Sequence, residues 1–256
     1  MFELATDIAK CTLITGDGES ADVVAFLFDD REWHVDYLIV DTEEWLTGRN
    51  VLLSTEIVGT PNIGEKVIRT DLRKSRIEDA PSVDLSKPIS ERELADLHRY
   101  YEWSTFRPGI LPDEPSTVPG TAMPDSITTQ YVITDESRGE EHRAPVPERH
   151  LRNTSEVHGY SIQLEDEMLG RVADFLVDTA DWNVMYLIAD VGNWKEGTEY
   201  VVPTIWIESI DYLEQKIRVG VKRAQFEEAP KFDRGGEFTR EEELRFYEHF
   251  DLPGYW

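Results

Sequence analysis

The chain has 256 residues, with 52 acidic against 26 basic side chains and a formal net charge of −26. A surface this negative argues against nucleic acid as a partner, because phosphate binding needs a face with a surplus of Lys and Arg. No stretch reaches the ~20 apolar residues of a membrane helix, and the opening MFELATDIAK lacks the basic start and apolar run of a signal peptide. We therefore expect no membrane insertion and a cytoplasmic location, which the single cysteine, Cys11, fits.

An internal repeat dominates the sequence. Residues 4–89 recur 149 positions later without insertion or deletion. Residues 23–48 read VVAFLFDDREWHVDYLIVDTEEWLTG, and residues 172–197 read VADFLVDTADWNVMYLIADVGNWKEG. A period this long indicates tandem globular domains and not a solenoid, whose units are about 20–50 residues long. The sequence predicts two domains, residues 1–105 and 151–256, joined by a linker over 106–150.

Short apolar runs separated by acidic or glycine-bearing turns predict antiparallel β-structure in each copy. The expected strands of the first copy cover 23–29, 34–41, 51–54 and 66–72, followed by a short helix that Pro81 ends. The second copy repeats them over 172–178, 183–190, 200–203 and 215–221, and Pro230 ends its short helix.

Each copy closes with a stronger helix signal. Ser90 with Glu93, and Thr239 with Glu242, have the spacing of a capping box, in which a hydroxyl and a carboxylate cap each other's backbone N–H groups. We predict helices over 90–101 and 239–250, the first of them docked on its barrel through an apolar face.

The segment between the copies has a different composition. Residues 107–147 contain seven prolines, which preclude long helices or a packed core, so we interpret 106–150 as a Pro-rich linker. Within it, ITTQYVIT at 127–134 is rich in β-branched residues and could add a strand to one of the barrels.

Motifs for catalysis or nucleotide binding are absent from the sequence. It contains no GxxxxGK[ST], GxGxxG or GxSxG pattern, and Cys11 lies in a predicted strand with nothing to activate its thiol. We predict that the protein is not an enzyme, that it has no catalytic residues, and that it binds no cofactor.

Two groups of residues could be imagined as metal ligands. His142 and His150 flank HRAPVPERH, but their spacing matches no known metal site. The acids at positions 29, 41, 178 and 190 recur in both copies, and each stands at a strand end, where a carboxylate accepts backbone N–H groups of the turn. The turn role is our interpretation, cation binding is its alternative, and we predict no metal site.

The hairpin strands also suggest an interaction surface. Alternation places Val35, Tyr37 and Ile39, with their counterparts in the second copy, inside the barrel. The opposite face should be polar, yet it is apolar, and Trp33 and Trp182 stand at the hairpin turns as packing residues or interface anchors. The candidate interface consists of Leu27, Trp33, Leu38, Val40, Leu176, Trp182, Met185 and Leu187. Either the terminal helices cover it, or it packs the two barrels together or two chains into a homodimer.

The second half resembles a known family. The segments LRNTSEVHGYSI, DEMLGRVADFLVDTADWNVMYLIADVGNW and RAQFEEAPKFD resemble the PRC-barrel family, named after the cytoplasmic domain of the photosynthetic reaction centre H subunit. The first half matches more loosely, because FELATDIAKCTLITGDGE departs from the Gly-Tyr opening that reads GYSI at 159–162.

The resemblance implies a mainly β fold of two tandem small antiparallel PRC-type β-barrels, each with a C-terminal helix. It also implies a non-enzymatic scaffold that binds a protein partner, as yet unknown. The alternative is a photosynthesis or electron-transfer accessory protein, by analogy with the H subunit alone.

The charge imbalance generates a first prediction. Because the net charge is −26, added salt should screen self-repulsion, while exposed ion pairs contribute little that salt could remove. We expect the Tm, measured by circular dichroism, to rise between low and molar NaCl. A fall in Tm over that range would show that specific ion pairs outweigh the repulsion.

Overall fold

The structure, a computed structural model, describes residues 1–42, 45, 49–81, 83, 85, 89–103, 151–192, 198–226, 229–236 and 238–250. The predicted linker over 106–150, with its ITTQYVIT segment, lies outside the described residues, as do His142 and His150. The chain is mainly β, and its strands form a curled sheet.

The elements of the first half follow the predicted order. They are β1 (Phe2–Leu4), α1 (Ala5–Ile8), β2 (Thr12–Ile14), β3 (Ser20–Asp29), β4 (His34–Asp41), β5 (Asn50–Ser54), a 3-10 turn (Thr55–Ile57), β6 (Val67–Arg69), α2 (Lys74–Glu78) and α3 (Glu91–Tyr101).

The second half repeats this order at the spacing of the sequence repeat. Its elements are β7 (Leu151–Asn153), α4 (Thr154–Val157), β8 (Ser161–Gln163), β9 (Met168–Asp178), β10 (Asn183–Asp190), β11 (Glu199–Pro203), a 3-10 turn (Thr204–Trp206), β12 (Ile207–Asp211), β13 (Lys216–Val219), α5 (Arg223–Phe226), β14 (Lys231–Phe232) and α6 (Arg240–His249). The two strands β12 and β14 have no counterpart among the described strands of the first half.

The local signals read from the sequence place these elements well. The bounds of β4 and β10 are those predicted, and both terminal helices begin at the predicted capping boxes. At Ser90 and at Thr239, the side-chain oxygen accepts from the N3 amide and the N3 glutamate accepts from the cap backbone.

The expectation of purely antiparallel barrels needs one correction. In each half a central meander is antiparallel, but β2 pairs with β6 and β8 pairs with β13 in parallel. The long excursion through the meander between these strands lets the chain return in the same direction, which a tight hairpin does not allow.

The halves are joined by an exchange of their first strands. Strand β1 of the first half pairs with β9 of the second half, Glu3 opposite Val177. Strand β7 of the second half pairs with β3 of the first half, Arg152 opposite Phe28. Both pairings have the same register once the repeat spacing is subtracted, so the two halves are related by a pseudo-twofold exchange.

The hydrophobic core continues across this junction. The rings of Phe28 and Phe175, one from each half, lie 5.8 Å apart, and Phe26 lies 6.5 Å from Trp182. All four side chains belong to one buried cluster or pack against it. The two halves therefore share apolar burial in addition to backbone hydrogen bonds.

The predicted facing of the hairpin strands is wrong in the second half. Leu187 and Ala189, expected outside, lie in the shared core, whereas Tyr186 and Ile188, expected inside, lie beneath α6 with Phe246. The cause is a β-bulge: Val184 pairs with Val177 and Tyr186 with Leu176, so Met185 is an extra residue that shifts the alternation by one.

The first half carries the same bulge at Asp36, because Val35 pairs with Phe28 and Tyr37 with Leu27. Tyr37 accordingly reaches α3, and its hydroxyl lies 2.6 Å from Nε2 of His98. The terminal helices thus cover the outward face of each hairpin, and the face predicted to be an external apolar patch is buried in the core.

The strand exchange predicts that the halves stay together without their covalent link. We expect a protein with an inserted protease site within 106–150 to elute, after cleavage, as one particle in native size-exclusion chromatography, because each half supplies a strand to the sheet of the other. The two fragments should separate in denaturant. Two native peaks at the sizes of the single halves would contradict the exchange.

Candidate interaction site at the junction of the two halves

Two tryptophans mark the centre of the junction. Trp33 and Trp182 occupy corresponding hairpin turns and have positive φ angles of 56° and 58°, a region that bulky residues rarely adopt. The carbonyl of Trp33 accepts from the amide of Val184 at 2.6 Å, and the carbonyl of Trp182 accepts from the amide of Val35 at 2.8 Å. This reciprocal pair of bonds joins β4 to β10 and makes the two sheets continuous.

A partly buried ion pair lies on one side of this centre. The carboxylate of Asp30 accepts from Nε of Arg152 at 3.0 Å and from the hydroxyl of Tyr212. The guanidinium of Arg152 stacks on the Tyr212 ring, 3.6 Å from its centroid. These three side chains, which we call the Asp30 clasp, join β7 and the β12–β13 turn of the second half to the first half.

The protonation states of Tyr212 and Arg152 in the Asp30 clasp are fixed near neutral pH. Burial, followed by the hydrogen bond to Asp30, raises the pKa of Tyr212 well above its ordinary value. Burial is the largest influence on Arg152 and lowers its pKa, but the hydrogen bonds and charges of Asp30 and Tyr212 together raise that pKa above its ordinary value. Tyr212 therefore stays a neutral donor and Arg152 stays a cation near neutral pH.

A fully buried carboxylate lies on the other side. Asp174, whose side chain is fully buried, accepts from the backbone amide of Thr6 at 3.2 Å and from its hydroxyl at 2.5 Å. Nη1 of Arg234 lies 3.0 Å from the same carboxylate, and Nε of Arg234 lies 2.7 Å from Glu199. Asp174 thus ties α1 of the first half to the sheet of the second half with its charge compensated.

The two sides of the junction use different chemistry at equivalent places. Where the second half has Asp174, the first half has Ala25, and there the amide of Phe26 donates to the hydroxyl of Thr154 at 3.2 Å. The partners in the Asp30 clasp also have unlike counterparts: Thr179 for Asp30, Glu3 for Arg152 and Ile63 for Tyr212. A comparison of the residues that are identical in the two copies misses Asp174 and the Asp30 clasp. A search for polar residues that occur in one copy alone would have found them.

The predicted interface residues fall in three places. Trp33 and Trp182 lie at the junction, and Leu27 and Leu176 lie on the strand segments that receive β7 and β1. Leu38, Val40 and Leu187 are buried in the shared core, and the half-buried Met185 packs beside the cluster under α6. The places of these residues within one chain do not bear on a contact between two chains, so the predicted homodimer stays a prediction.

Three of the four recurring strand-end acids accept backbone amides in turns, as interpreted. Asp29 Oδ1 accepts from the amides of Arg31 and Glu32 at 2.8 and 3.1 Å, and Asp178 and Asp190 accept from the second amide after them. In the part of the chain that the structure describes, no group of three or more His, Cys, Asp or Glu side chains is placed to hold a metal ion.

Three further ionisable side chains, Cys11, Tyr186 and Glu243, are held in the interior. Burial is the main cause that raises the pKa of Cys11, and the negative charges of Glu3 and Asp7 raise it further. The thiol is therefore a poor nucleophile. Glu243, with no exposed surface, accepts from Tyr186 and from Arg240 and anchors α6 to β10. Burial, followed by this hydrogen bond, raises the pKa of Tyr186 far above its ordinary value.

The Asp30 clasp gives a stability prediction. Replacing Asp30 with Ala leaves the partly buried Arg152 and Tyr212 without their shared acceptor, and we expect a loss of about 1–3 kcal/mol in the free energy of unfolding, measured in urea. As a control, Asp96→Ala breaks an exposed pair with Arg99 and should cost less than about 0.5 kcal/mol. Equal losses in both variants would show that the clasp does not stabilise the junction.

None of the helices within the described ranges is both long and apolar enough to cross a membrane.

The sequence matches a known protein family over part of its length. No curated protein matches the sequence. A family model does: the PRC-barrel domain matches residues 152–225, which run from β7 to α5 and carry Arg152, Asp174, Trp182 and Tyr212. The second half of the chain therefore contains a PRC-barrel domain.

Proposed function

We propose that the protein is a non-enzymatic scaffold that binds a protein partner and is built from two PRC-type barrels held as one body. The PRC-barrel match over residues 152–225 supports this for the second half. For the first half the support is the repeated order of elements at the repeat spacing and the corresponding bulges at Asp36 and Met185.

The strand exchange is the observation that carries the proposal. A scaffold has to present its surfaces in a constant relative orientation, and a body in which each half completes the sheet of the other does so. Two carboxylates at the junction support the same role, because Asp30 and Asp174 are engaged by donors from the other half. Their side chains hold the halves together instead of facing a substrate.

The charge of the chain indicates the kind of partner. With 52 acidic and 26 basic residues, the surface potential favours a partner with a basic face and disfavours nucleic acid and other polyanions. Electrostatic attraction of this kind speeds association and weakens with salt.

The test is capture followed by reconstitution. We expect the intact protein, immobilised in native lysate at moderate salt, to retain a specific protein, and the purified pair to form a complex of fixed stoichiometry in isothermal titration calorimetry. Its affinity should fall as NaCl is added. A matched control is an unrelated protein of similar size and net charge, which should not bind the same protein.

Two results would contradict the proposal. One is that every protein retained by the chain is retained equally by the charge-matched control. The other is a stoichiometric transition metal, detected by elemental analysis, that survives dialysis against a chelator, because a tightly held metal would point to a metalloenzyme.

A further inference from the structure

The strand β12 is an open edge of the sheet. Among the described residues it pairs with β13 alone, and it ends the strand order β12-β13-β8-β9-β10-β4-β3-β2-β6. Two large apolar side chains flank it, Ile205 with 70% of its surface exposed and Leu213 with 99% exposed. Exposed edges with apolar residues are sites where a further strand can add, and proteins usually block them.

The first half has blocked the same edge. In place of Ile205, Ile210 and Leu213 it has Glu56, Pro61 and Gly64, and its corresponding segment forms only two isolated bridges, at Val58 and at Asn62. Pro61 removes an outward backbone donor, and Glu56 and Gly64 offer no apolar side chain where the second half has Ile205 and Leu213. The two copies therefore share a fold but differ in whether this edge can accept a strand.

The backbone geometry shows which groups point outward. In the first half Asn62 and Val67 exchange both of their backbone hydrogen bonds, at 2.9 and 3.0 Å. The equivalent pair in the second half is Asp211 with Lys216, so by the alternation of antiparallel pairs the N–H and C=O of Ile210 point away from β13. Ile210 corresponds to Pro61 in the first half. The outward backbone N–H of Ile210 therefore has no equivalent there, because proline lacks a backbone N–H.

The charge of the edge selects the kind of segment that fits. Residues 205–214 carry three carboxylates, Glu208, Asp211 and Glu214, and no basic side chain. An added strand lies about 4.8 Å from β12, so its side chains neighbour Glu208 and Asp211, whereas Glu214 lies beyond the end of the strand and accepts from Nζ of Lys216 at 3.0 Å. A second copy of β12 would set acid against acid, which is unfavourable for residues directly opposite each other.

We propose that β12 is the docking edge for an extended segment of a partner protein that carries basic residues and apolar anchors for Ile205 and Leu213. This inference rests on the proposed function as a protein-binding scaffold and names the surface and the chemistry of its partner. The segment adds as a new edge strand through the outward backbone groups of β12, with Lys or Arg beside its carboxylates.

The probe is a synthetic nine-residue peptide of alternating Val and Lys carrying a fluorescent label. Its affinity for the full chain is measured by anisotropy, and its position by amide shifts in ¹H–¹⁵N spectra. We expect the largest shifts within Ile207–Asp211. The control peptide has the same charge but is N-methylated at every residue, so that neither of its edges can donate to β12, and it should bind at least tenfold more weakly.

The matched variant gives the second half the edge of the first: Ile205→Glu, Ile210→Pro and Leu213→Gly together. This variant carries one more negative charge than the natural chain. If the basic peptide bound only through the net negative charge of the surface, its affinity would not decrease. If it docks on the edge of β12, its affinity should decrease at least tenfold. Each substitution already stands at the corresponding position of the first half, where Pro61 is buried. Leu213→Gly alone, at a side chain 99% exposed, gives the test in a variant that keeps its core.

Four results would overturn the proposal. One is equal affinity of both peptides, or of the natural chain and both variants. Another is a pattern of shifts outside Ile207–Asp211. The third is a natural dimer in sedimentation that Ile210→Pro dissociates, because the occupant would then be a second copy. The fourth is peptide binding only after deletion of residues 127–134, because the occupant would then be a segment of the same chain. If a captured partner still binds the triple variant, the edge proposal fails and the scaffold proposal stands.

Discussion

The exchange of β1 and β7 between the halves is the constraint on which the rest of the structure depends. The long strands β3 and β9 each need a neighbour along part of their length, and each obtains it from the other half. Because backbone hydrogen bonds make these pairings, they place few demands on side chains. The side chains at the junction were then free to diverge, and the junction uses a carboxylate with an arginine and a tyrosine on one side and Asp174 with Thr6 on the other.

Much of the local structure could be predicted from the sequence. The two hairpins, both capping boxes and the turn role of the strand-end acids follow from nearest-neighbour chemistry, which a single sequence displays. Two features do not. A bulge at Met185 leaves no mark in the pattern of apolar residues, yet one extra residue moves every following side chain to the opposite face. The strand exchange also leaves no mark in the sequence, because Phe2 could pair with Asp29 of its own half in the same register in which it pairs with Asp178.

The residues of the candidate site were also only partly predictable from the sequence. Eight apolar or aromatic residues were predicted as an interface, and four of them, Trp33, Trp182, Leu27 and Leu176, lie where the two halves meet. Leu38, Val40 and Leu187 fill the core, and the half-buried Met185 packs beside the cluster under α6. The outward apolar face of the hairpins is therefore covered and does not form an exposed patch. The residues that distinguish the copies, among them Asp30, Tyr212, Ile210 and Leu213, carry the specific contacts of the junction and the open edge of β12. In a duplicated protein, the shared residues encode the fold and the differences indicate specialisation.

The nuclear Overhauser effect between backbone protons tests the strand exchange most directly. In the perdeuterated full-length protein, exchange predicts contacts from Glu3 to Val177 and from Arg152 to Phe28, pairs that stand opposite each other across the two halves. Without exchange, the same register would bring Glu3 to Phe28 and Arg152 to Val177. Observation of the first two contacts is the predicted result, and observation of the second two in their place would contradict the strand-exchanged body.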